Sequence, residues 1–302
     1  MSSAEGVCNL CGGTEFKPRF SATDVEAGKV PSAFACTNVG HGQHGPIVEC
    51  RGCGLVFACP MPASEVLDQA YGATQDERYA EEEPYRVLNF RPLIELVESH
   101  LAPPGRLLDV GCHIGTFLEL AKTRGWSVHG VEPSRWAARV AAERGLAVDC
   151  GSLDSLSDRA PYDVITMWDV LEHLRDPMAE LRHLEALLRP GGLLFFSTID
   201  IGSRFARVLG RRWPWLMHMH LYYFRRDHLS RYVEEVGFEV VEMSAVRRIV
   251  SLAYALEKAH KSLRLPTGRL AAALRERPLG RRAVGIRTGD IVLMVARKRT
   301  QA

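Results

Sequence analysis

From residue 106 onward the chain alternates short apolar runs with longer stretches whose apolar residues recur at helical spacing. RLLDVG, WSVHGVEP, LAVDCG, YDVITMWD, GLLFFSTI, FEVVEMSAV and DIVLMVARK read as strands. TFLELAKTRG, SRWAARVAAERG, DPMAELRHLEALLRPGG and DHLSRYVEEVG read as helices. The second and third of these end on glycine, which tolerates the left-handed turn that closes a helix. Such alternation predicts an α/β fold, a doubly wound and mostly parallel seven-stranded sheet with helices on both faces. Upstream the texture changes. ASEVLDQAYG begins a helix after Pro62 with Ser64 as its cap, and PYRVLNFRPLIELVESHL continues in helical register, with Pro92 expected to kink or delay it. Residues 1–62 are rich in Cys, Gly and Pro and show no helical period. The expected organisation is a small module over 1–62, a helical linker or cap over 63–104, and a main domain over 105–302. Insertions at 203–226 and 247–289 interrupt that domain.

Composition narrows the class. With 302 residues and 46% hydrophobic side chains the chain suits about two packed domains and excludes collagen-like or disordered readings. Its longest apolar run, GGLLFFSTIDIG, falls short of the ~20 residues that span a bilayer. The first residues, MSSAEGVCNLCGG, have neither the basic nor the apolar region of a secretory leader, so a cytoplasmic location is expected. There cysteines stay reduced, and eight of them point to metal binding or catalysis rather than disulfides. The net charge of +2 conceals an asymmetry: residues 201–302 carry 21 basic and 8 acidic side chains, while the first 200 carry a net −11. A basic final third suits an anionic partner.

Four cysteines fall in two knuckles, Cys8 and Cys11 in CNLCGG, and Cys50 and Cys53 in ECRGCGL. Each knuckle supplies two thiolates from one tight turn, the pattern of a tetrahedral structural Zn²⁺ site and a zinc ribbon. Four thiolates leave no open ligand position, so the expected role is to hold a module too small for its own core. Cys36, His41 and His44 lie between the knuckles at irregular spacing and read as part of a polar loop. Cys59, Cys112 and Cys150 read as small buried side chains.

LLDVGCHIGTFLELA is a strand, a glycine turn and a helix, with Glu132 ending the next strand. A carboxylate there can take both hydroxyls of a ribose. The dinucleotide fingerprint fails, because His113 and Thr116 occupy its second and third glycine positions. DVGCHIG instead resembles the first motif of the class I S-adenosylmethionine-dependent methyltransferases, with His113 replacing the middle glycine. The resemblance continues through VEPS, YDVITMWDVLEHLRDP, LLRPGGLLFFSTI and HLYYFRRDHLSRYVEEVGFEVVE, over roughly residues 105–298. A zinc ribbon ahead of that domain also occurs in the family. The resemblance implies a Rossmann-like sheet and S-adenosyl-L-methionine as cofactor. It implies that Asp109, Gly111, His113 and Gly115 pass under the methionine part and that Glu132 holds the ribose. Ser152 and Leu153 fall at the adenine position, with serine replacing the usual acid and Asp154 a substitute. Trp168 and Asp169 are expected to face the cofactor.

A sulfonium methyl is already activated, so the enzyme has to align a nucleophile and remove its proton. Glu172 and His173, beyond the fourth strand, are the candidates, with His173 the expected general base. His220 is a second candidate, after the aromatic segment RRWPWLMHM that is expected to roof the acceptor. Asp169, Glu172 and His173 also resemble a divalent-metal cluster of ubiquinone-pathway and small-RNA methyltransferases, where Mg²⁺ would bind. The leading expectation is methyl transfer to a hydroxyl of a small, anionic sugar, lipid-linked or secondary-metabolite acceptor. Sugar C-methylation is one alternative. RNA methylation through the ribbon and basic third is another, against which the acidic ribbon half and the lack of a stacking surface count. Arginines beside tryptophans in residues 204–215 leave peripheral membrane contact open.

Overall fold

The computed structural model describes residues 6–23, 42–76, 79, 82–156, 161–263 and 265–300. Thirteen strands are present among them. The first three, β1 (Phe16–Phe20), β2 (Ile47–Cys50) and β3 (Val56–Ala58), form an antiparallel ribbon. The main sheet holds β4 (Arg106–Val110), β5 (Ser127–Glu132), β6 (Val148–Cys150), β7 (Tyr162–Trp168) and β8 (Leu188–Ile199), all parallel. Later in the chain come β9 (Tyr222–Tyr223), β10 (Phe238–Ala245), β11 (Arg248–Ser251), β12 (Ala283–Ile286) and β13 (Ile291–Lys298). The main sheet runs β10-β13-β8-β7-β4-β5-β6, with β13 antiparallel to both neighbours. The seven apolar runs are its seven strands, in a mostly parallel Rossmann-like arrangement.

β4 to β8 read as near-continuous apolar runs because helices cover both faces of the sheet. Leu107, Leu108, Val164, Ile165, Leu194, Phe195 and Phe196 are fully buried. The chain winds away from β4 in both directions, through β5 and β6 on one side and β7 and β8 on the other. The crevice beside β4 is thus the switch point where such sheets bind ligands.

The short strand β9 belongs elsewhere. It pairs with β3, Val56 opposite Tyr223 and Phe57 opposite Tyr222, so a strand from the main domain completes the four-stranded ribbon sheet. The second knuckle is tied to the same region, since Cys53 O accepts from His228 Nε2 at 3.1 Å. The first is tied through Asn9, whose Nδ2 donates to Asp176 Oδ1 at 2.7 Å while its Oδ1 accepts from Met178 N and Tyr232 Oη. Leu10, Leu55 and Phe57 share one core cluster with Met178, Tyr222 and Tyr232.

Several local expectations are corrected. Ser64 is the first residue of the helix Ser64–Ala73 rather than its cap, and its hydroxyl accepts from Arg175. Pro92 sits inside a continuous helix, Glu83–His100. The helix opened by Asp176 stops at Leu187, short of the glycines, because Leu188 already pairs with Tyr162 as the first residue of β8. Cys112 is buried, but Cys59 is only half-buried and Cys150 is exposed at the end of β6. Among the described residues no helix is long and apolar enough to cross a membrane.

Candidate active site and thiol cluster

The turn after β4 is shaped by two glycines. Gly111 has φ +71°, and a Cβ there would lie 2.7 Å from Val170 Cγ2. Gly115 has φ +81°, and its Cβ would come within 2.3 Å of Leu146 Cδ1. Between them His113 adopts φ 50°, a left-handed conformation uncommon outside glycine. His113 is buried rather than on the surface, its ring stacked on Tyr79 with centroids 3.6 Å apart. Burial lowers its imidazole to about 3, so it is neutral, and its buried Nδ1 has no hydrogen-bond partner among the described residues.

Glu132 is buried at the end of β5, its two oxygens accepting from His113 N and Ser134 N, both at 2.8 Å. Burial outweighs these bonds and pushes its carboxyl up to about 7. Asp109, at the end of β4, accepts from Thr166 Oγ1 at 2.6 Å and is pushed up to about 8 by burial and the neighbouring Glu132. Trp168 ends β7 with its indole Nε1 buried and unpaired among the described residues. Two buried carboxyls with no cation partner among the described residues, beside orphaned ring nitrogens, fit a polar, positively charged ligand such as S-adenosylmethionine. Leu153 is buried, whereas Ser152 is exposed and its side chain makes no described contact.

The turn Leu171–His173 follows β7. One donor atom from each of Glu172, His173 and His220 lies within 4.8 Å of the others. His173 Nδ1 sits 2.9 Å from Met219 O and 3.0 Å from Tyr71 Oη. His220 Nδ1 sits 2.7 Å from Trp215 O. A carbonyl can only accept, so both rings carry their proton on Nδ1 and Nε2 is the basic nitrogen of each. Burial lowers His173 to about 4. Glu172 is buried, accepts from Thr198 Oγ1 at 2.7 Å, and is pushed up to about 8 by burial and then by Asp169.

Asp169 departs from the expected metal trio. Its φ of 55° turns it toward Ser197 Oγ, which donates to it at 2.7 Å, and toward an ion pair with Arg248. Burial works against its charge, but Arg248 and Ser197 prevail and hold the carboxyl below its ordinary range. The cluster that assembles therefore contains His220 in place of Asp169, and the Mg²⁺ trio Asp169, Glu172 and His173 does not form. Arg248, Tyr71 and Tyr79 carried no motif that could have flagged them. Thr166 and Thr198 were visible as polar residues inside otherwise apolar strands.

At the ribbon, Cys8, Cys11, Cys50 and Cys53 place their sulfurs within 4.8 Å of one another. The Cys8–Cys53 and Cys11–Cys50 separations are 3.6 Å. A tetrahedral zinc with ~2.3 Å bonds to sulfur spans edges of about 3.8 Å. Without a metal, burial raises the Cys8 and Cys53 thiols, Cys53 to about 11, the opposite of what thiolate ligands need, and a bound dication would reverse it. His44 is buried with Nδ1 donating to Gly45 O, and it joins neither cluster. Cys36 and His41 lie outside the described residues.

A family model described as a methyltransferase domain matches residues 79–243. The chain is 31% identical to the ubiquinone biosynthesis O-methyltransferase of Burkholderia pseudomallei over 180 residues, covering 52% of this chain and 78% of that protein. The protein of the same description from Ralstonia nicotianae is 33% identical over 177 residues, covering 51% and 74%. Among solved structures, a Bacillus halodurans protein provisionally described as a methyltransferase superimposes with TM-score 0.50 at 15% identity, covering 69% of this chain and 99% of that one. At that identity the likeness speaks to the fold alone. The switch-point crevice has the chemistry for the cofactor, the glycine turn lies beneath it, and the family match spans both, so the chain belongs to the class I S-adenosylmethionine-dependent methyltransferases.

Proposed function

We propose that the chain methylates a hydroxyl of a small, anionic acceptor, with His173 as general base. The observation that carries this reading is the grouping of Glu172, His173 and His220 at the carboxyl edge of the sheet. The O-methyltransferase relatives support a hydroxyl as the acceptor group. Asp109, the turn Gly111–Gly115, Glu132, Leu153 and Trp168 are the residues proposed to hold the cofactor, which supplies an activated methyl when bound. The four cysteines are proposed to hold a structural Zn²⁺.

His173 would take the acceptor's proton on Nε2 while Met219 O fixes the ring through Nδ1. The resulting imidazolium gains from the Asp169 carboxylate, whose charge works to raise His173. Glu172 keeps its own proton below about pH 8 and so adds no second full charge there. The anionic character of the acceptor rests on Lys258, whose Nζ lies 3.6 Å from the centre of the Trp215 ring, on the residue that anchors His220; burial lowers its ammonium to about 7, and a bound anion would keep it charged.

The test is a labelled-methyl transfer screen over phenols, sugars and their acidic derivatives with wild type and His173→Ala. The expected loss is about 10²- to 10⁴-fold in kcat, the usual worth of a general base, with cofactor affinity retained. Near-normal turnover in His173→Ala would remove the base assignment.

A further inference from the structure

A cleft of about 380 Å³ opens between the end of β1 and the segment that follows β8. Three guanidinium groups line it, Arg19 from the ribbon and Arg207 and Arg211 from the short helix and turn after β8. Among the described residues no carboxylate lines it. Several arginines elsewhere are paired, as Arg189 is with Asp163, Arg225 with Asp227 and Arg231 with Glu235. Here the Arg207 and Arg211 side chains have no ion pair or hydrogen bond among the described residues. Arg19 lies over the Phe20 ring at 5.5 Å and approaches Glu49 at 3.7 Å, a carboxylate that Lys17 engages more closely at 3.0 Å. Three like charges around one cavity repel one another, and a multiply charged anion relieves that repulsion while using their fork geometry.

The remaining walls are apolar. Phe20 and Ile201 contribute side chains, and Trp213 is buried with its Nε1 already committed to Asp290 Oδ2 at 2.7 Å, so it offers the ligand only ring carbon. A compact polyanion joined to a planar or apolar group matches such a lining, and the volume falls within the range of small-ligand sites. The same segment runs on from Trp213 to His220 in the candidate active site.

We propose that this cleft binds the diphosphate group of a small ligand. As an anchor for the methyl acceptor the site rests on the function proposed above; as a diphosphate site it stands without it. The diphosphate could belong to a nucleotide, with its base against the aromatic walls, or to a lipid, with its chain along them.

The test is calorimetric titration of the full chain with inorganic pyrophosphate, UDP and farnesyl diphosphate, against sulfate at matched ionic strength. Saturable pyrophosphate binding is expected, weakened about tenfold or more in Arg207→Ala/Arg211→Ala, as loss of charge-assisted hydrogen bonds implies. It should be unchanged in Arg204→Ala, which lies on the same helix outside the cleft, and in His173→Ala. Tighter binding of UDP than of pyrophosphate assigns the nucleotide source, and tighter farnesyl diphosphate the lipid source. Absence of saturable binding, equal competition by sulfate, or equal weakening by Arg204→Ala would overturn the proposal. Binding that persists in an enzyme with no transferase activity would sink the methyl-acceptor reading and leave the site standing.

Discussion

Asp109 and Glu132 face each other's charge in a crevice where only Thr166 and two backbone amides temper it. Both carboxyls are raised, Asp109 to about 8 and Glu132 to about 7. Glu172 is also raised to about 8. A carboxyl raised by folding binds its proton more tightly in the native state. Its stabilising contribution is complete below the ordinary value near 4 and is lost as pH climbs through the raised one. His113 and His173 are lowered and act in the opposite sense, losing stability as pH falls below 6.5. Between pH 6.5 and 8 these three carboxyls outweigh Lys258, which burial lowers to about 7 and which acts in the opposite sense, so the melting temperature of the cofactor-free protein should fall across that window. Asp109→Asn should flatten the fall, since its amide never ionises, while weakening binding of S-adenosylhomocysteine. Thermal scans at half-unit pH steps with and without that ligand check both effects. A wild-type profile that rises toward pH 8 would refute the account.

The apolar runs predict every strand of the main sheet because burial on both faces leaves a signal independent of distant partners. The glycine turn was equally readable, since Gly111 and Gly115 are required by steric contacts close at hand. What stayed hidden depended on long-range pairing. β9 is two residues long and gains its order from β3, 165 positions away at Phe57 and Tyr222, so nothing in its own sequence marks it. The Asp169–Arg248 pair joins β7's end to an insertion whose many arginines look alike in sequence. Asn9 was likewise an unremarked position inside a knuckle, yet it bridges the ribbon to the start of the helix Pro177–Leu187 and to Tyr232. Asn9→Ala should destabilise the protein by about 1–3 kcal/mol, because Met178 N and Tyr232 Oη lose their acceptor in a partly buried setting. Urea denaturation followed by tryptophan fluorescence measures this, and an unchanged midpoint would mean that apolar packing, the β3–β9 pairing and His228 hold the ribbon without Asn9.

At the scale of the whole chain, backbone hydrogen bonds join the ribbon to the proposed reaction centre. Ala58 N donates to Leu221 O at 2.8 Å, and Leu221 N donates to Glu172 O at 2.8 Å, so a hydrogen-bonded line runs from β3 to the turn that carries His173. Met219 O and Trp215 O, which orient the two imidazoles, lie in the segment that this line secures. The crevice at β4 and β5 is built differently: no hydrogen bond among the described residues joins the ribbon to Asp109, His113 or Glu132. Loss of the zinc proposed for the four cysteines should therefore separate catalysis from cofactor binding. When the chain is stripped of zinc, or carries Cys50→Ser, kcat should fall roughly 10- to 100-fold, as ångström-scale misplacement of a catalytic group does. The dissociation constant for S-adenosylhomocysteine should stay near that of the metal-loaded protein, and restored zinc should recover turnover in the stripped wild type but not in Cys50→Ser. Parallel loss of both properties would instead mean that the ribbon supports the entire fold, whereas undiminished turnover would mean that β3 and β9 hold the acceptor side in place without a metal.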